Sequence, residues 1–168
     1  EIVVLKGHPL LHGYEPTGER AALDDVRLLA PVIPSKVVCV GMNYAEHRAD
    51  MQFSGEHADR PLFFLKPSTA VVGPGDPIRI PPVPGRIVHE IELAIVIRRV
   101  AKQIRREDWQ DYVFGYTIAN DVSARDQMFA DGQWARAKGF DTFCPIGPWI
   151  ETELDPLAGL EIQSYVDG

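Results

Sequence analysis

Cysteine is nearly absent from the 168 residues: Cys39 and Cys144 stand alone, far apart, with no C-x-x-C between them. That excludes a disulfide framework and a thiolate zinc cluster, and it fits a reducing, cytoplasmic setting. No apolar run approaches the ~20 residues that a membrane-crossing helix needs, and the N-terminus lacks the basic, hydrophobic, small-residue order of a secretory signal. Basic residues are the minority, 17 Lys and Arg against 24 Asp and Glu for a net charge of -7. Without a basic run of five, neither nucleic acid nor a membrane is expected as a partner. Gly73-Pro74-Gly75 lacks the Lys-Ser/Thr of a phosphate loop, and no Gly-x-Ser-x-Gly elbow, internal repeat or low-complexity tract occurs. His8 and His12 are four apart, but Pro9 between them spoils a helical ligand pair.

Turn formers, by contrast, are plentiful. Glycine and proline number 14 each, which suits short strands joined by many turns and predicts a mainly β fold with short helices. The length allows one domain with a sizeable core. A weakly patterned N-terminal segment, 1–34, begins with a short strand at Ile2 to Leu5. From residue 35 to 168 the signals sharpen into one domain: a buried strand over Lys36 to Val40, a helix over 44–52 capped by Asn43 with Glu46 three residues on, and strand, turn, strand between Leu62 and Ile80. A further strand runs from Tyr112 to Asn120.

The most informative stretch is Ile87-Val88-His89-Glu90-Ile91-Glu92-Leu93-Ala94-Ile95-Val96-Ile97. Read as one strand, it places Glu90 and Glu92 side by side on one face and Ile87, His89, Ile91, Leu93, Ile95 and Ile97 on the other, in the core. The glutamate face is itself apolar, with Val88, Ala94 and Val96. Two neighbouring carboxylates on a dry surface repel unless a cation or a shared proton compensates them, so the pair points to a metal. Asp121, where the Tyr112 to Asn120 strand stops, is a third carboxylate candidate. It also reads as a helix cap, since Ser123 and Asp126 follow at capping-box spacing. Lys138 on its own reads equally as a surface charge.

Five motifs in order, Asn43-Tyr44-Ala45-Glu46-His47, Phe64-Leu65-Lys66-Pro67, Glu90-x-Glu92, Asn120-Asp121-Val122-Ser123-Ala124-Arg125-Asp126 and the stretch from Ala137-Lys138 to Gly147-Pro148, make the chain resemble the fumarylacetoacetate hydrolase family from about Val26 onward. The resemblance implies a mixed β-sandwich or β-roll, an α+β arrangement with the metal in its cup. It implies that Glu90, Glu92 and Asp121 bind Mg²⁺ or Mn²⁺, and three hard oxygen ligands also admit Ca²⁺. Lys138 would neutralise an enolate beside the metal. Arg125 would bind a substrate carboxylate or tie Asp126 to the loop. His47 matches the water-activating histidine of smaller members, oriented by an acidic residue three positions on, here Asp50 where Glu is expected. Met128 stands where many members carry a substrate-side Gln, and Gln127 next to it takes that role in this reading.

The implied activity is divalent-metal-dependent cleavage of a C–C bond in an acylpyruvate-type 2-oxo acid, giving pyruvate and a carboxylic acid. The same platform would serve a 2-hydroxyhepta-2,4-diene-1,7-dioate isomerase or an oxaloacetate decarboxylase, and a non-catalytic metal-binding paralogue is the reading of another class. A homodimer is expected. The family's Thr-Gly-Thr-Pro segment is missing, and Leu160 to Val166 reads as a strand without a following partner, so the chain is expected to be C-terminally incomplete.

Overall fold

The computed structural model describes residues 1–45, 48 and 60–167, and its regular structure is mostly strand. In chain order the elements are β1 (Ile2–Leu5), α1 (Pro9–His12), β2 (Pro16–Ala21), β3 (Val37–Gly41), β4 (Leu62–Lys66), β5 (Val71–Val72), β6 (Ile87–Val88), β7 (Ile91–Ile97), β8 (Val113–Asn120), β9 (Ser123–Ala124), α2 (Arg125–Asp131), α3 (Ala135–Lys138) and β10 (Cys144–Glu151). Strands β5-β10-β8-β7 form a mixed sheet, in which β5 runs parallel to β10 and the other neighbours are antiparallel. Pairs β1-β2, β3-β4 and β6-β9 are separate two-stranded ladders. The fold is thus mainly β with short helices. Among the described residues no helix is long and apolar enough to cross a membrane.

The stretch expected as one strand from Ile87 to Ile97 is two. At His89-Glu90 the chain changes partner, from β9 (Ile87↔Ala124, Val88↔Ser123) to β8 (Ile91↔Asn120 onward). The facing chain breaks at the same level, between β8 and β9, at Asp121-Val122. Two bonds close the double jog: the Glu90 N–H donates to Asn120 Oδ1 at 3.0 Å, and the Asp121 N–H donates to the Glu90 carbonyl at 2.7 Å. Asn120 therefore supplies with its side chain what the interrupted ladder cannot.

Of the two faces of β7 that were both expected to be dry, only the glutamate face is covered. Glu92, Ala94 and Val96 lie opposite Ala119, Thr117 and Gly115 and share their face, and Val96 and Thr117 are buried. Ile95 and Ile97, expected in the core, are 51% and 55% exposed. Small residues allow the glutamate face to be closely covered, whereas the isoleucines of the other face are left out. On β3, Val37, Cys39 and Gly41 are half-buried and pair with Lys66, Phe64 and Leu62, of which Lys66 and Phe64 are buried, while Val38 and its neighbours Phe63 and Leu65 on β4 are exposed. No strand forms over Leu160 to Val166, where Leu160, Tyr165 and Val166 are exposed, so that expectation fails. A period-two pattern without a partner has nothing to bond to.

Two apolar clusters support the region of the jog. Val122, Ala124, Met128, Ala137 and Phe143 form one, with Trp134 and Phe140 against it, and Ala70, Cys144 and Ile146 form the other.

Candidate metal centre

Glu90 sits in the jog, Glu92 is the second residue of β7, and Asp121 follows β8 directly. One oxygen from each lies within 4.8 Å of the others. The strand rule alone does not bring them together, because Glu90 is outside β7; the paired breaks do.

Asp121 is 3% exposed, and its carboxylate faces lysines rather than helix amides. The helix cap is not what forms: α2 starts after Ala124, which makes no side-chain cap bond. Lys66 Nζ donates to Asp121 Oδ1 at 2.5 Å and to the Val122 carbonyl at 3.0 Å. Lys138 Nζ donates to Asp121 Oδ2 at 2.5 Å and to Glu90 Oε2 at 2.6 Å. The other oxygen of Glu90, Oε1, accepts from an Arg125 terminal nitrogen at 2.6 Å. Arg125 is thereby placed on a candidate ligand, not on Asp126, whose carboxylate lies 3.6 Å from Arg86.

Lys138 ends α3, where its N–H donates to the Trp134 carbonyl at 2.9 Å. Its side chain is buried. The Phe64 and Trp134 rings lie 4.8 and 5.8 Å from Nζ and meet each other edge-on. Trp134 in turn rests on β3: a Cβ on Gly41 would come 2.5 Å from the ring, so only glycine fits there.

Lys66 is a site residue that the sequence candidates do not include, although it lies in the Phe64-Leu65-Lys66-Pro67 motif. Its signal was local: a lysine closing an apolar strand, immediately before a proline. At 1% exposure such a charge persists only when paired. Gln127 is tied down, donating from Nε2 to the Pro84 carbonyl at 2.7 Å, while its Oε1 is buried without a hydrogen-bond partner among the described residues. Met128 belongs to the apolar cluster. His47, Asp50 and Glu46 lie outside the described residues. Next to them Tyr44 is placed: its hydroxyl accepts the Leu93 N–H of β7 at 3.1 Å, one residue beyond Glu92.

The three carboxylates face three cations, Lys66, Lys138 and Arg125, but unevenly. The close ion pairs fall on Glu90 and Asp121. Burial raises the Glu90 carboxyl, yet Lys138 and Arg125 outweigh it and hold it below the usual range. Glu92 is pushed up to about 7, by burial first and then by the negative Asp121. Among the described residues, Glu92 alone of the three carboxylates makes no close ion pair. Cys39 and Cys144, raised to about 12 and about 11 chiefly by burial, stay thiols and are poor ligands at neutral pH. Three converging carboxylate oxygens fit a hard divalent cation.

The model of the fumarylacetoacetate (FAA) hydrolase C-terminal family matches residues 36–168, and that of the Rv2993c-like N-terminal family matches residues 1–31. Protein Rv2993c of Mycobacterium tuberculosis is 54% identical over 154 residues, 90% of this chain and 57% of that protein. The mitochondrial oxaloacetate tautomerase fahd2 of Xenopus laevis is 46% identical over 132 residues, 77% of this chain and 41% of its own. Of solved structures, 2-hydroxyhepta-2,4-diene-1,7-dioate isomerase from Mycobacterium marinum superposes with a TM-score of 0.81 at 50% identity, covering 92% of this chain and 58% of that one. Maleylpyruvate hydrolase from Sphingobium sp. SYK-6, in complex with manganese(II) ion and pyruvate, gives 0.61 at 41%, covering 78% and 44%. The chain spans about half the length of these relatives.

Proposed function

The chain belongs to the fumarylacetoacetate hydrolase family, and on that basis we propose that it is part of a divalent-metal-dependent enzyme that works on a small 2-oxo acid through its enolate. The observation that carries this is the Lys138 ammonium, dry and charged, on Glu90 and Asp121 at once. Glu90, Glu92 and Asp121 would hold Mg²⁺ or Mn²⁺, which when bound supplies a Lewis acid for the oxo-acid end of the substrate. The manganese and pyruvate of the maleylpyruvate hydrolase structure support both the ion and the substrate class for a relative.

The chain's own residues divide the remaining work. Lys138 offsets the negative charge that develops on the enolate oxygen, from a site so dry that the charge is poorly screened. Arg125, reaching in from α2, offers a planar fork suited to a substrate carboxylate. Phe64 and Trp134 exclude water around Lys138. In the hydrolytic reading, His47 oriented by Asp50 takes a proton from water, hydroxide adds to the distal carbonyl, and the C–C bond breaks to leave pyruvate enolate and a carboxylic acid. That reading uses His47 and Asp50 together with Lys138, Arg125 and the three carboxylates. Tautomerisation or isomerisation is the second reading, favoured because it draws only on Lys138, Arg125 and the carboxylates, and because relatives are named oxaloacetate tautomerase and dienedioate isomerase. Assembly as a cytoplasmic homodimer completes the proposal.

Proton NMR with acetylpyruvate and with oxaloacetate, each with Mg²⁺ and with EDTA, tests it. Metal-dependent acetate plus pyruvate is the expected hydrolytic result. Metal-dependent keto–enol exchange of oxaloacetate alone moves the assignment to tautomerase, loss of CO₂ moves it to decarboxylase, and no turnover of either refutes the proposed chemistry on these substrates.

A further inference from the structure

Each paired carboxylate of the site has one oxygen held by a strut and one held by Lys138. Glu90 gives Oε1 to Arg125, and Asp121 gives Oδ1 to Lys66, which is anchored in addition on the Val122 carbonyl. The remaining oxygens, Glu90 Oε2 and Asp121 Oδ2, both receive the same ammonium at 2.6 and 2.5 Å. A divalent ion held by Glu90, Glu92 and Asp121 would sit on the same two carboxylates as the ammonium, and the two cations would repel across them at short range.

The geometry points to Lys138 as the site's resident cation: its ammonium bridges Glu90 and Asp121 until a divalent ion displaces it, so that the lysine opposes metal binding and is released by it. The inference rests on the metal reading of the same three carboxylates and adds what that reading does not contain, a sign for the effect of the lysine on the ion. The Phe64 and Trp134 rings already flank Nζ at 4.8 and 5.8 Å, and they keep attracting the cation when it gives up its carboxylate oxygens. The lysine needs no change of charge to move, only a change of partner.

The test is Mn²⁺ binding, followed at pH 8 by the electron paramagnetic resonance of the free ion, for the wild type, Lys138→Met and Lys138→Arg. Removing a positive charge in contact with two ligand oxygens is expected to tighten binding about tenfold or more in Lys138→Met, while Lys138→Arg, which keeps the charge, binds no more tightly than the wild type. Equal or weaker binding by Lys138→Met would overturn the inference. A second measurement needs no variant: acetic anhydride labelling of the wild-type protein, read by mass spectrometry. Saturating Mn²⁺ is expected to raise modification of Lys138 several-fold while Lys66 stays protected, and unchanged labelling of Lys138 at saturation overturns the displacement. Failure of the metal reading has a different signature, no Mn²⁺ uptake by either the wild type or Lys138→Met, and removes both.

Discussion

Glu92 makes metal binding pH-dependent in a calculable way. Its carboxyl is pushed up to about 7 by burial and by the negative Asp121, whereas an ion can be held only by the ionised form. With a midpoint near 7, about nine-tenths of the molecules carry the proton at pH 6 and about one-tenth at pH 8. Binding at pH 6 therefore releases about 0.9 proton per ion and at pH 8 about 0.1, and the affinity falls roughly tenfold, or about 1.4 kcal/mol, between the two. Calorimetric titration with Mn²⁺ in buffers of differing ionisation heat measures both quantities. The stability of the metal-free protein has the opposite slope. Because the folded-state value lies above the ordinary 4.5, the folded state binds this proton more tightly than the unfolded chain, so Glu92 favours the fold at low pH and that contribution is lost as pH rises from about 4.5 through about 7. A flat affinity between pH 6 and 8, with no proton released at pH 6, would refute the reasoning: Glu92 would then ionise as an ordinary surface glutamate.

Further outcomes follow from the same geometry. Glu92→Gln is expected to abolish Mn²⁺ uptake and activity together, whereas His47→Ala retains Mn²⁺ by calorimetry and loses C–C hydrolysis; normal acylpyruvate cleavage by His47→Ala would remove the dyad assignment. Lys66→Met leaves Asp121, 3% exposed, with Lys138 as its remaining partner, and is expected to cost about 3 kcal/mol, the low end for breaking a buried pair. In thermal unfolding that is a drop of roughly 6–12 °C for a chain of this size, and a loss under 2 °C would contradict it. Gly41→Ala pushes a methyl into the Trp134 ring and is expected to weaken catalysis by displacing the aromatic neighbours of Lys138, read as a lower kcat at saturating Mn²⁺. Light scattering on the eluted protein should give twice the monomer mass, and a monomer would end the dimer proposal.

The parts of this site that were legible in the sequence are those whose chemistry conflicts with their local surroundings. Glu90 and Glu92 stand out because carboxylates interrupt an apolar run, and no folding model is needed to see that the run must compensate them. Asp121 was ambiguous because an aspartate after a strand has two uses, ligand and cap, with one sequence signature. Lys66 was invisible as a partner because its role depends on a residue 55 positions away, and a lysine at the end of a strand ordinarily reaches water. The isoleucine face of β7, expected in the core, is left exposed for a related reason. Alternation says which residues share a face but not which face is covered, and here size decides: the side with Ala94, Gly115 and Ala119 is the one that other elements can approach. Leu160 to Val166 failed as a strand because propensity supplies no hydrogen-bond partner.

The double jog explains why a strand is a suitable place for this centre and why a regular one is not. In an unbroken antiparallel ladder, residues on one face stand in rows set by the pleat, and carboxylates two apart point in parallel rather than converge. Breaking both chains at one level frees the Glu90 backbone to take the Asn120 side chain and to receive the Asp121 N–H, which turns two carboxylates from facing strands toward one point. The cost is an interrupted ladder, and it is offset on the spot: by the Asn120 bond, by the Ser123 hydroxyl donating to the Asp121 carbonyl at 2.8 Å, and by Lys66, which bonds both the Asp121 carboxylate and the Val122 carbonyl across the gap. Lys66 therefore supports the backbone irregularity and fixes a ligand with one ammonium. It follows that Asn120→Ala should disturb the site without touching any proposed ligand: the Glu90 N–H loses its acceptor, and Mn²⁺ affinity should fall several-fold while Asn120→Asp, which keeps an acceptor oxygen at that place, retains it better. Equal loss in both variants would mean that Asn120 acts by packing alone.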